Sequence, residues 1–252
     1  MCLAAALWSV LAPAAPASAQ ARVDLELVFA VDASGSVDDD EYALQIGGIA
    51  AAFRDPAVTA AISSGAHGSI AVAVLVWSEA TRPKDASDWW IVGSAADAEA
   101  FASHLETRPR RVEGGTTGIE SGIATAVTMI ASNTIVGLRS AVDVSGDGIE
   151  NSAGPVHSSF TKTVRHLREI AEARVIARNL NITVNGLAIL TEVPDLDRWY
   201  EANVKSGPGS FVMAVETYAD FANAMLEKLL REIGAGPTIS HLPAATGGPA
   251  PM

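Results

Sequence analysis

The residues of this 252-residue chain best suited to chemistry lie in one short stretch, Val28-Phe29-Ala30-Val31-Asp32-Ala33-Ser34-Gly35-Ser36-Val37. An apolar run stops at a carboxylate, and two hydroxyls follow at alternate positions. All three groups are oxygen donors, the type that hard cations such as Mg²⁺ prefer, and Mg²⁺ usually keeps several waters of its own. The same residue types also build an Asx or Ser turn leading into a helix N-cap. Two more stretches pose a similar choice. Gly114-Gly115-Thr116-Thr117-Gly118 precedes a helical pattern and reads as an N-cap or as a phosphate cradle, although the Lys and the spacing of a P-loop are absent. Ser145-Gly146-Asp147-Gly148 again ends an apolar run at a carboxylate, here in a glycine-flanked turn. Asp38, Asp39 and Asp40 fit the first turn of a helix, where acidic side chains complement the helix dipole, better than they fit further ligands.

Composition narrows the choice. The formal net charge is −12, and phosphate neutralisation needs clustered Lys and Arg, so a nucleic-acid partner is disfavoured. An anionic membrane surface is disfavoured for the same reason. Cys2 is the single cysteine, which leaves no intramolecular disulfide and no thiolate metal site. His67, His104, His157, His166 and His241 are scattered and form no H-x-x-x-H pair. No catalytic residue stands out: neither oxygen-rich loop carries a His or Lys, and G-x-S-x-G is absent.

The elements that must position the oxygen groups alternate along the chain. Residues 23–31, 68–78, 138–145 and 181–189 read as core strands, near-continuous in apolar residues as strands covered on both faces are. Residues 87–92 carry Trp89 and Trp90 and read as a short antiparallel strand at a sheet edge, with alternation burying one Trp and exposing the other. Residues 210–215 add a last strand. Helices are expected over 42–53, 95–105, 119–131, 157–179, 194–204 and 217–233. The helix at 157–179 carries Lys162, Arg165, Arg168, Arg174 and Arg178, read as a solvated face. Asp143, inside a core strand, needs a partner; it either supports the Asp147 turn from behind or bonds to a neighbouring loop. Strand–helix alternation implies a single α/β domain over residues 20–233, Rossmann-like, with a mostly parallel central sheet, one short antiparallel edge strand and helices on both faces. In such sheets ligands bind beyond the carboxyl ends of the strands, where strand order reverses. Asp32 and Asp147 both fall at such ends.

Residues 1–19 read as a secretory signal peptide with Ala17-Ser18-Ala19 as its cleavage pattern, lacking a positive n-region. Their apolar run is too short to span a bilayer, which takes roughly 20 residues. Residues 234–252 read as a flexible Gly/Pro/Ala-rich tail. The expected location is therefore exported, periplasmic or secreted, with no membrane span in the mature chain.

Asp32-x-Ser34-x-Ser36, the threonine loop and Ser145-Gly146-Asp147-Gly148, in this order, resemble the metal-ion-dependent adhesion site of von Willebrand factor type A domains. The resemblance extends over nearly all of residues 23–233 in element order. The wording VDVSGDG, with the leader, is similar to a bacterial exported subgroup of that superfamily of unknown function. The resemblance implies that Ser34 and Ser36 bind Mg²⁺ (or Mn²⁺ or Ca²⁺) through their hydroxyls. It makes Thr117 the third hydroxyl, with Asp32 and Asp147 acting mainly through bound waters. Thr117 places Gly122 and Ile123 where the family has a small and then an aliphatic residue; the family's Gly-Gly-Thr wording would select Thr116 instead. A partner protein's Asp or Glu carboxylate then completes the metal's coordination. Neutral hydroxyls leave the cation under-neutralised, so an acidic ligand gains more from binding it. The expected function is a non-enzymatic, metal-dependent protein-binding module. The alternatives are a metal-assisted hydrolase with Asp32 or Asp147 as base, and the same fold without a bound metal. A nucleotide site is disfavoured, because the first strand lacks G-x-G-x-x-G and Asp32 would repel a pyrophosphate.

Overall fold

The computed structural model of the protein describes residues 20–151 and 159–234, with side chains from 167 onward in the second span. The signal peptide and tail expected from the sequence lie outside the described residues, as do the side chains of His157, Lys162, Arg165 and His166. The chain runs β1 (Arg22–Asp32), α1 (Asp39–Arg54), α2 (Pro56–Ser63), β2 (Ile70–Trp77), β3 (Asp85–Ala86), β4 (Trp90–Val92) and α3 (Ala95–Thr107). It continues α4 (Ile119–Ser132), β5 (Val136–Gly146), α5 (Ser159–Asn179), β6 (Ile182–Ile189), α6 (Leu196–Asn203), β7 (Val212–Val215) and α7 (Phe221–Gly234).

One sheet holds all seven strands in the order β3-β2-β1-β5-β6-β7, with β4 also on β2. β1 pairs in parallel with both β2 and β5, so the order reverses beside β1 and the carboxyl ends of β1 and β5 share one crevice. The sheet is mostly parallel, as expected, and its antiparallel edge comes in two pieces. β4 pairs with Ile70–Val72 and β3 with Leu75–Val76, with a one-residue shift in register between them. Ser87 bridges the break by donating its N–H to Val74 O and accepting the Val74 N–H at Oγ.

Alternate residues of β1 feed two cores. Leu25, Leu27, Phe29 and Val31 pack under α1, α3 and α7 with Ile49, Phe53, Phe101, Phe221 and Leu229. Val28 and Ala30 face α4, α5 and α6 with Trp77, Ile123, Ile170 and Tyr200. Each fully buried large side chain contributes about 1.5–3 kcal/mol, so β1 is held firmly from both sides. Both faces of the sheet edge are covered too. Trp90 stacks near Phe101 and His104 on one face and Trp89 packs on the other, so both are half-buried and neither is the exposed member expected from alternation.

Residues Pro56–Ser63 form α2, a helix not among those expected, started by Asp55 as N-cap and Pro56 at the first helical position. Two expectations need correction. The closing helix begins at Phe221 rather than 217, after a 3₁₀ turn at Tyr218–Asp220. Of the basic residues on α5, Arg168 is exposed, but Arg174 donates to Ala202 O and Lys205 O, and Arg178 to Ser206 Oγ. Those two tie α5 to the end of α6 and the loop after it; Arg174 is half-buried and so leaves the expected solvated face, while Arg178 stays exposed.

Candidate metal centre

Three loops meet at the carboxyl ends of β1 and β5. The first follows β1, where buried strand residues give way to Asp32, which is itself fully buried. Asp32 Oδ1 accepts the Ser34 N–H at 2.7 Å, an Asx turn, so the simpler turn geometry is present as well. The helix that follows is capped elsewhere: Asp38 is the N-cap of α1, and with Glu41 it forms a reciprocal capping box. Arg110 closes the loop from outside, donating to Val37 O and pairing with Asp39, with its guanidinium 5.0 Å from the Tyr42 ring.

The second loop carries the threonines. Gly115 takes φ +83°, a conformation open to glycine at little cost, and its carbonyl accepts the Gly35 N–H at 3.0 Å. Neither threonine caps α4, whose N-cap position is Gly118; Glu150 supplies an acceptor to the Glu120 N–H instead. Thr117 is buried and its Oγ1 lies 3.3 Å from Ser34 Oγ, whereas Thr116 is exposed. In the third loop, Asp147 is fully buried and its Oδ1 accepts a hydrogen bond from Ser36 Oγ at 2.7 Å. Ser34 Oγ and Ser36 Oγ are 3.5 Å apart. Asp32, Ser34, Ser36, Thr117 and Asp147 thus come together in one crevice, and Thr116 does not join them.

Several supporting residues escaped the sequence reading. Gln45 donates to Asp32 O and accepts from Ser145 Oγ, locking β1 to β5 behind the cluster. Its only signal is a polar residue on an otherwise apolar helix face. Asn151 accepts the Thr117 N–H at Oδ1 and donates its own N–H to Thr117 O. Tyr200 and Tyr218 are buried, with hydroxyls that have no hydrogen-bond partner among the described residues. A Cβ at Gly146 would stand 2.7 Å from Asp32 Oδ2 and 3.0 Å from the Tyr200 hydroxyl, so only glycine fits there. Nothing in the sequence links either tyrosine to this end of the sheet.

The electrostatics are lopsided. Burial pushes the Asp32 carboxyl up to about 7, the Asp147 and Glu150 charges add to this, and the hydrogen bonds from Ser34 oppose it. Burial raises Tyr200 and Tyr218 as well, with both carboxylates adding to the effect, so the phenols stay protonated donors. Among the described residues no Lys, Arg or His pairs with Asp32 or Asp147, and one oxygen of each, Oδ2, has no hydrogen-bond partner. Buried carboxylate oxygens left this way cost about 1–3 kcal/mol or more unless something compensates them. The donor set is all oxygen and suits a hard divalent cation. It holds only two carboxylates. No group of three or more His, Cys, Asp or Glu side chains is arranged to hold a metal among the described residues.

The fold is that of a von Willebrand factor type A domain. The open conformation of the pilus adhesin SpaC from Lactobacillus rhamnosus GG matches 84% of this chain and 30% of its own, with a TM-score of 0.56 at 15% identity. The PilB minor pilin from Streptococcus sanguinis matches 88% of this chain and 65% of its own, at 13% identity and TM-score 0.55. The vWF domain of the type V pili tip protein Mfa5 from Porphyromonas gingivalis matches 84% of this chain and 95% of its own, at 10% identity and TM-score 0.52. The chain thus spans about a third of the SpaC adhesin. No curated protein matches the sequence. The chain belongs to the family described as "Protein of unknown function (DUF1194)", whose model matches residues 22–237.

Proposed function

We propose that this protein is an exported, divalent-cation-dependent protein-binding module and not an enzyme. In this reading Ser34, Ser36 and Thr117 hold Mg²⁺ (or Mn²⁺ or Ca²⁺) through their hydroxyls. Asp32 and Asp147 supply negative charge around it, mainly through waters, and an Asp or Glu carboxylate of a partner protein completes the shell. The bound cation would supply positive charge at the mouth of the crevice. The observation that carries the reading is the convergence of five oxygen-bearing side chains from three loops, with two buried carboxylate oxygens unpaired and no cation beside them among the described residues. Structural relatives among pilus adhesins and pilins lend it support as an adhesion-type fold. No helix among the described residues is long and apolar enough to cross a membrane. No His, Lys or Cys stands in the cluster among the described residues, so a hydrolase at the same place would rest on Asp32 or Asp147 alone as its base.

The test is thermal unfolding of the chelator-treated protein with and without Mg²⁺, Mn²⁺ or Ca²⁺. A native-state ion at about 100 times its Kd adds about 2.7 kcal/mol, so the melting temperature rises by several degrees. Asp32→Ala removes the rise. Absence of any rise with all three ions at millimolar concentration would leave the bare fold as the correct reading. A partner retained equally well in chelator would remove the metal from the binding step.

A further inference from the structure

In a chain of net charge −12, Arg82, Lys84, Arg108, Arg110 and Arg111 crowd beside the candidate metal centre. They stand on the loop after β2, whose last residue Trp77 lies level with Asp32, and on the loop between α3 and α4. Three of them are spent. Lys84 Nζ donates to the carbonyls of Glu79, Ala80 and Arg82. Arg108 pairs with Asp85 at 2.7 Å, and Arg110 holds Asp39 and Val37 O. Arg82 and Arg111 are not spent. Arg82 gives one N–H to Glu113 O at 3.0 Å and stands 3.6 Å from Glu79, whose carboxylate already accepts the Thr81 hydroxyl at 2.6 Å. Arg111 reaches Asp85 only at 3.5 Å. A guanidinium carries five N–H donors, so each has several to give. The Arg82 side chain is 49% exposed and that of Arg111 65%, which leaves those donors open to a ligand.

With Pro83, Val112 and Glu113 these two arginines line an open hollow of about 390 Å³. The hollow adjoins the metal centre. A Cβ at Gly115 would lie 3.2 Å from Arg82 Nε, and Gly115 O accepts the N–H of Gly35, which sits between Ser34 and Ser36. The Gly114-Gly115 turn is thus a wall common to both. We infer that the hollow receives a second acidic side chain of the partner, so that the partner presents an acidic segment and not a lone carboxylate. This rests on the reading of the centre as a cation site that takes the first carboxylate. The second carboxylate accepts from Arg82 and Arg111, whose planar forks match its geometry. Pro83 and Val112 give its methylene groups an apolar wall. The common turn sets the two acidic residues about three positions apart in an extended segment, at roughly 3.3 Å per residue. Glu113 is the acidic member of the lining and works against the ligand.

The experiment is an NMR titration of the full chain, once in Mg²⁺ and once in chelator. The probes are two end-blocked peptides, Asp-Gly-Gly-Glu and Asp-Gly-Gly-Gln. In Mg²⁺ the first shifts the Val112 and Glu113 signals and binds about tenfold more tightly than the second. Arg82→Gln and Arg111→Gln, both at exposed positions, each bring its affinity down toward that of the Gln peptide. Arg168→Gln, an equal loss of charge on exposed α5, leaves the advantage in place. Glu113→Gln enlarges it. In chelator Asp-Gly-Gly-Glu still shifts Val112 and Glu113, more weakly, and no longer shifts Gly35. Binding that is the same in Mg²⁺ and chelator, with Gly35 silent in both, removes the cation reading, and the response at Val112 and Glu113 then decides the hollow by itself. Equal affinity for the two peptides in Mg²⁺, silence at Val112 and Glu113 in both conditions, or an advantage that survives both arginine variants would overturn the assignment.

Discussion

Two sets of buried carboxylates share one strand and are treated in opposite ways. Asp143 lies within β5 and Asp147 immediately after it. Around Asp143 the chain provides its own cation: Lys228, fully buried, is ion-paired with Asp143 and donates to Glu232, and Asn185 donates to Glu232 as well. Asp147 and its neighbour Asp32 receive hydroxyl and amide hydrogens but no positive charge among the described residues. The expected roles for Asp143, support for the Asp147 turn or a bond to a loop, are both replaced by this ion pair with α7. Burial raises the Asp143 carboxyl against the pull of Lys228, and raises Asp32 to about 7 with no cation among the described residues to oppose it. A buried ion pair is costly to break because the survivor stays buried and charged. A buried acidic pair without a cation is costly as it stands. The first set therefore holds the fold together. The second burdens the fold, and a cation at this place is what the proposed function adds.

The largest effect should come from breaking the compensated set. Lys228→Met leaves Asp143 and Glu232 facing each other, and urea unfolding should show a loss of about 3–5 kcal/mol. A loss under about 1 kcal/mol would mean that the two sets do not differ as described. The uncompensated set predicts the opposite sign. Asp32→Asn keeps an acceptor for the Ser34 N–H and removes the charge, so at pH 8 in chelator it should stabilise the protein by about 1–3 kcal/mol. The pH dependence follows from the raised carboxyl. The charge penalty is absent below pH 4, where folded and unfolded chains are both protonated. It grows as pH rises toward 7 and is complete above that. The gain from Asp32→Asn should follow the same course, and a gain that persists at pH 4 would refute the charge explanation. The smallest effects separate the two threonines. Thr117→Ala should remove the divalent-ion rise in melting temperature, while exposed Thr116→Ala should leave that rise intact and change stability by no more than about 0.5 kcal/mol.

What the sequence disclosed follows the same division. β1 and β2 were legible because strands covered on both faces are written as unbroken apolar runs, and the carboxylates that end such runs stand out. The choice of Thr117 over Thr116 rested on Gly122 and Ile123, and the fold gives Gly122 a reason: a Cβ there would lie 3.0 Å from the Trp77 indole. Lys228 could not be found the same way. It sits in Leu226-Glu227-Lys228-Leu229-Leu230, where a lysine ordinarily faces water, and its burial is set by Asp143, far away in sequence. Gln45, Tyr200 and Tyr218 likewise take their meaning from residues brought beside them only by the strand order.

The loop after β1 carries a consequence for rates. It is pinned at Ser34 by Asp32, at Gly35 by Gly115, at Val37 by Arg110 and at Asp38 by the capping box. Fixing a free residue's backbone costs about 1–2 kcal/mol in conformational entropy, and here that cost is met during folding. Binding at this loop then needs no ordering step, so association should be single-exponential and should show no lag from loop closure.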